Sequence, residues 1–138
     1  MEDAVHRLFN AVEPGSYIRP HRHLHPPRAE TLIVVSGALG LLTFDEVGRL
    51  VSTERMAAGG ETFGMDVPPG VWHTFVALEP GTVFFETKAG PYAAPAGADA
   101  ADWAPAEGRP EAAAQEARWR ELFVRGEAPA SRGRYAAE

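Results

Sequence analysis

The 138-residue chain contains no cysteine, which excludes a disulfide framework, a thiol nucleophile and a cysteine-based zinc site. Any metal must therefore sit on nitrogen and oxygen donors. A basic excess is also missing: 13 Lys and Arg stand against 19 Asp and Glu, for a formal charge of -6. Nucleic acid and anionic membranes both reward a basic face, so neither is expected as a partner. Nowhere do about 18 apolar residues run together, and the N-terminal region has no apolar stretch of signal-peptide length. A cytoplasmic location is expected. No helix-length segment interrupts residues 16–88, which argues against a parallel sheet built from βαβ units.

With 45% hydrophobic residues, a chain of this length can bury a single core. Val5, Leu8, Phe9 and Val12 stand at helical spacing and Glu13-Pro14-Gly15 stops the pattern, so residues 1–15 are read as a short N-terminal helix or turn. From residue 16 the pattern changes to short β-rich runs: 16–23, 30–36, 39–44, 49–56, 61–67, 72–78 and 82–88. Turn chemistry separates them, as in Pro26-Pro27, Ser36-Gly37, Gly59-Gly60 and Pro68-Pro69-Gly70. The expected fold is all-β, an antiparallel jelly-roll barrel over residues 16–92. Residues 93–110 are rich in Ala, Pro and Gly and read as an extended strap. A C-terminal helix is expected over 111–126, with Gly126 as its stop, and a mobile tail over 127–138. Trp119, Leu122 and Phe123 give that helix an apolar patch. Two roles stay open for the patch, a homodimer contact and a cover over the chain's own barrel.

The densest chemical signal is His21-Arg22-His23-Leu24-His25, followed by two prolines and then Glu30. In an extended segment, residues two apart point to one face about 6–7 Å apart, so His21 and His23 can converge on one ion. Glu30 follows a turn that returns the chain and adds an oxygen donor. A proline-glycine turn then delivers His73 far downstream. Imidazoles with one carboxylate suit iron, manganese, nickel, zinc or copper, and leave positions for water or substrate. One divalent transition metal ion on His21, His23, Glu30 and His73 is the expected cofactor. His25 shares the parity of His21 and is the alternative ligand. Tyr17, Arg19 and Arg28 are candidate groups for a small-molecule substrate, because an arginine fork suits an oxyanion and a tyrosine exchanges protons. Arg19 is favoured among them by its parity with His21. No catalytic residue is assigned. Glu86 and Lys88 are read as a solvated strand face, His6 as a surface residue, and Trp72, Phe75, Phe84 and Phe85 as core.

The spacings resemble the two cupin motifs: Gly15, five residues, His21-x-His23, then Glu30, six residues and Gly37, with Pro68-x-Gly70-x-x-His73 as the second. Six residues separate His23 from Glu30, more than the usual three or four, and Ala77 stands where asparagine is usual. A closer resemblance accommodates the longer gap. Gly15 to His23, Phe44-Asp45 before Gly48, Pro69 to Thr74, Gly90-Pro91-Tyr92 and Trp103-Ala104-Pro105 are similar to the WbuC-type cupin-fold metalloproteins. That likeness extends over most of residues 4–108 and implies a metal-binding cupin connected with bacterial surface-polysaccharide metabolism. A metal-dependent enzyme acting on a sugar-derived or other polar metabolite leads, with isomerase, lyase and dioxygenase chemistry all open. The alternatives are a metal-independent sugar-nucleotide epimerase or isomerase, and a cupin that binds a metabolite without turning it over.

Overall fold

A computed structural model describes residues 3–124, so the expected helix stop at Gly126 and the tail over 127–138 lie outside the described residues. Seven strands precede one long helix: β1 Val5–Val12, β2 Glu30–Ser36, β3 Ala38–Phe44, β4 Leu50–Ala57, β5 Gly64–Val67, β6 Trp72–Ala77, β7 Thr82–Ala89 and α1 Pro110–Val124. All strand pairs are antiparallel. One sheet has the order β1-β7-β2-β5 and the other β4-β3-β6. The all-β class is as expected, but the strands form two sheets and not one closed barrel. Among the described residues, no helix is long and apolar enough to cross a membrane.

Two expected elements differ. Residues 5–12 are a strand and not a helix, paired along its whole length with β7 from Val5↔Ala89 to Val12↔Thr82. Exposure alternates along β1, and Phe9, which a helix would have had to bury, is 68% exposed. The backbone hydrogen bonds offered by the edge of β7 decide the conformation, and the four apolar residues at helical spacing do not. Residues 16–23 form no regular strand. They run extended beside the second sheet, joined to it by an isolated bridge between His21 and His73.

The core between the sheets is built by Leu32, Val34 and Phe84 from the first and Leu39, Leu41, Met56 and Phe75 from the second. A second apolar layer lies on the outer face of the three-stranded sheet. There Leu42, Phe44, Trp72 and Val76 meet Ala101 and Ala104 of the strap and Trp119 of α1. Both faces of β3 and β6 are therefore covered, and every residue of both strands is buried. This explains why these strands read as continuous apolar runs. Gly40 permits the close approach of α1, since a Cβ there would lie 2.5 Å from the Phe123 ring. The Trp119 patch thus covers the chain's own sheet.

Candidate metal centre

Two backbone bonds bring the sequence-distant motifs together. His21 N–H donates to His73 O at 3.0 Å, and His73 N–H donates to His21 O at 2.9 Å. The turn before His73 needs Gly70, whose φ of +77° is a left-handed conformation that side chains resist. Gly70 N–H in turn donates to His23 O at 3.2 Å, tying the second ligand to the same turn. Glu30 is the first residue of β2 and is 1% exposed, and His73 in β6 is fully buried.

The side chains of His21, His23, Glu30 and His73 offer donor atoms that all lie within 4.8 Å of one another. Two donors at ~2.0–2.3 Å from a shared ion stand at most about 4.6 Å apart, so little movement would let all four reach one ion. The tautomers suit this. His21 Nδ1 lies 3.0 Å from Arg19 O and His73 Nδ1 lies 2.8 Å from Val71 O. A carbonyl only accepts, so each Nδ1 carries the proton and each Nε2 keeps a free lone pair. His73 Nε2 is buried with no hydrogen-bond partner, although Glu30 Oε2 stands 3.3 Å away in poor alignment. His23 Nε2 is 2.9 Å from the same oxygen. A buried, unpartnered imidazole nitrogen in a three-histidine, one-carboxylate cluster is what a divalent metal would satisfy.

The local electrostatics keep these donors in ligating form. Burial and the adjacent His73 push the His21 imidazole down to about 3, which leaves it neutral. Burial raises the Glu30 carboxyl, but the hydrogen bond from His23 outweighs it and holds the group below the ordinary carboxylate range.

A cavity of about 520 Å³ adjoins the cluster, and His21 and His23 form part of its wall. Arg19 lines it, with Nε donating to Ala101 O at 2.7 Å. Tyr17 does not line it. The Tyr17 hydroxyl donates to Pro105 O at 2.7 Å, its ring stacks on Trp119, and burial pushes its pKa up to about 12. Arg28 borders a smaller hollow of about 240 Å³ beside His23 and donates to Pro91 O at 2.8 Å. His25 stands outside the quartet, its Nδ1 2.8 Å from Asp99 Oδ1. His6 is half-buried, with Nδ1 lacking a hydrogen-bond partner among the described residues.

Glu86 and Lys88 correct the reading of a solvated face. Both are buried and line the cavity, with Lys88 Nζ 3.3 Å from Glu86 Oε1 and 3.7 Å from Glu30 Oε1. Burial, then the nearby Glu30, pushes Glu86 up to about 7. Alternation along β7 was visible, but Phe84 and Phe85 offered an aromatic residue to each face, so parity alone did not say which side was inside. The register supplies the answer: Glu30 pairs with Lys88 and Leu32 with Glu86. Asn10 also lines the cavity, from a segment expected to be helical.

A family described as a domain of unknown function (DUF6016) matches residues 1–56. No curated protein matches the chain. Among solved structures, a variant of oxalate decarboxylase OxdC from Bacillus subtilis is similar over 66% of this chain and 22% of its own, at 23% identity and a TM-score of 0.52. The oxalate decarboxylase formate complex from Lactobacillus farciminis is similar over 65% of this chain and 25% of its own, at 21% identity and a TM-score of 0.52. The chain therefore spans a quarter or less of these structures. The likeness is one of fold, and it supports the cupin architecture that the motifs implied.

Proposed function

We propose that this cupin-fold chain is a metal-dependent enzyme that acts on a small polar metabolite bound in the cavity beside His21, His23, Glu30 and His73. The observation that carries the reading is the buried His73 Nε2, which has no hydrogen-bond partner and belongs to a four-donor cluster. A divalent ion bound there would supply Lewis acidity toward a substrate oxygen. The chain's own residues do the rest. Arg19 O and Val71 O orient two imidazoles, Ile18, Phe75 and Phe84 give the cavity an apolar side, and the Glu86 carboxyl is suited to exchange a proton near neutrality. The WbuC-like motifs and a cavity of about 520 Å³ support a sugar-derived substrate, and with it a role in surface-polysaccharide metabolism.

One observation favours a metal-independent epimerase: His23 and Glu30 stand 2.9 Å apart, the histidine–carboxylate pair that such proton exchange uses. The Tyr17 hydroxyl donates to Pro105 O and is committed there, while Tyr92 lines the cavity. The deciding experiment is elemental analysis of protein purified without added metal. About one equivalent of a divalent transition metal is expected. A chain that carries none and takes up none of Mn²⁺, Fe²⁺, Ni²⁺, Cu²⁺ or Zn²⁺ would sink the metal reading.

A further inference from the structure

The cavity wall holds polar groups that neither the metal cluster nor the fold uses. Asn10 lines it from β1, and its Nδ2 is buried with no hydrogen-bond partner among the described residues. A buried amide donor left without an acceptor costs about 1–3 kcal/mol, so such a group in a cavity marks a place for a ligand acceptor. Arg19 lines the same cavity from the segment that carries His21. Its guanidinium makes one hydrogen bond among the described residues, from Nε to Ala101 O, which fixes the plane and leaves the terminal amino groups available. Glu86 faces Lys88 at 3.3 Å, and Glu107 accepts the Arg19 backbone N–H at 3.4 Å. Asn10 and Arg19 contribute donors, one of them permanently cationic and planar, which match an oxyanion with two oxygens in a plane.

The rest of the wall limits what is attached to that oxyanion. Leu8, Ile18, Phe75 and Phe84 give an apolar side, while His21 and His23 give a polar one. A volume of about 520 Å³ holds a short chain or a single ring. We propose that the cavity binds a small hydroxycarboxylate, its carboxylate held by the Arg19 guanidinium and the Asn10 amide and its hydroxyls facing the wall formed by His21 and His23. This deepens the proposed function by naming the substrate class, and rests on it only for the side that the hydroxyls face. The carboxylate subsite stands on Asn10 and Arg19 alone.

The test is binding of glycolate, glycerate and gluconate, each compared with its neutral counterpart ethylene glycol, glycerol and sorbitol, by calorimetry on the full chain. Metal content is measured on the same samples. At least one carboxylate should bind about tenfold or more tightly than its neutral counterpart, as charge-assisted hydrogen bonds allow. Arg19→Gln should abolish that preference and Asn10→Leu should weaken it several-fold, with metal content unchanged in both. The two substitutions lie on separate segments, and thermal unfolding of each reports whether it folds. No preference for any carboxylate in the unaltered protein overturns the proposal. So does an undiminished preference in folded Arg19→Gln. A carboxylate preference that depends on Arg19 in a chain without metal would uphold the subsite while the metal reading fails.

Discussion

At the scale of single residues, the quartet differs from the histidines around it in what the ring nitrogens touch. His73 has one nitrogen on a carbonyl and the other buried without a hydrogen-bond partner, whereas His25 meets Asp99 and is largely open to solvent. His73→Ala should therefore strip most of the bound metal, and His25→Ala should leave it in place, as read by elemental analysis after dialysis. Loss of metal in His25→Ala with full occupancy in His73→Ala would assign the site to the wrong histidines. His21 adds a pH dependence to the metal-free protein. Its folded value is about 3 against an ordinary 6.5, so the unfolded chain binds more protons between those limits. Stability is then full above about pH 6.5 and falls on acidification, by at most ~1.4 kcal/mol per pH unit from this group. Glu30, held below its ordinary 4.5, contributes its own loss only below that value. Glu86, raised from 4.5 to about 7, acts in the opposite direction over this range, because there the folded chain binds the extra proton. Urea unfolding from pH 7 to 5 should therefore show His21→Gln gaining stability on acidification relative to the unaltered protein. An unchanged slope in the variant would assign the effect to other groups.

At the scale of elements, the strap and α1 hold the site in place. Asp99, at the end of a short 3-10 turn over Gly97–Asp99, accepts the backbone N–H groups of Leu24 at 3.2 Å and His25 at 3.0 Å. Its backbone carbonyl accepts Arg22 N–H at 3.0 Å, and Ala101 N–H donates to Pro20 O at 3.0 Å. The strap thus brackets His21 and His23 from both sides. Asp99→Ala removes two acceptors from that loop, and metal affinity should fall by about tenfold, the lower end for groups that orient ligands. A metal titration giving equal affinity would reduce Asp99 to a surface contact. Trp119, 8% exposed and packed on Tyr17 and Phe44, anchors α1 over the outer face of the second sheet. Trp119→Ala should cost about 3–5 kcal/mol in urea unfolding. A loss below about 1 kcal/mol would mean that the helix is a detachable cover.

At the scale of the whole molecule, the donors come from three separated stretches, 21–23, 30 and 73, held on both sheets. An ion that binds the folded chain and not the unfolded one stabilises it by mass action, by ~2.7 kcal/mol at a hundredfold excess over Kd. For a domain of this size that is a rise in Tm on the order of 10 °C. The shift should vanish in His73→Ala. An unchanged Tm across the five metals would agree with a chain that folds around no ion.

Much of this was legible beforehand. Parity in an extended segment placed His21 with His23, and the Pro-Gly turn picked out His73. Burial on both faces left β3 and β6 as apolar runs, so the all-β class and the C-terminal helix could be read as well. These are local properties, carried by turn chemistry and by the period of a strand. The rest depended on partners far along the chain. Residues 5–12 carry a pattern that fits a helix, and only the open edge of β7 made them a strand and turned Asn10 toward the cavity. Glu86 and Lys88 alternate with neighbours equally fit for burial, and only pairing with β2 placed them inside. Tyr17 had the chemistry of a substrate group until Pro105 and Trp119 claimed it. Which face of a strand is buried, and which polar atom is left unpaired, are settled by long-range hydrogen bonds and packing, and those exist only once the chain has folded.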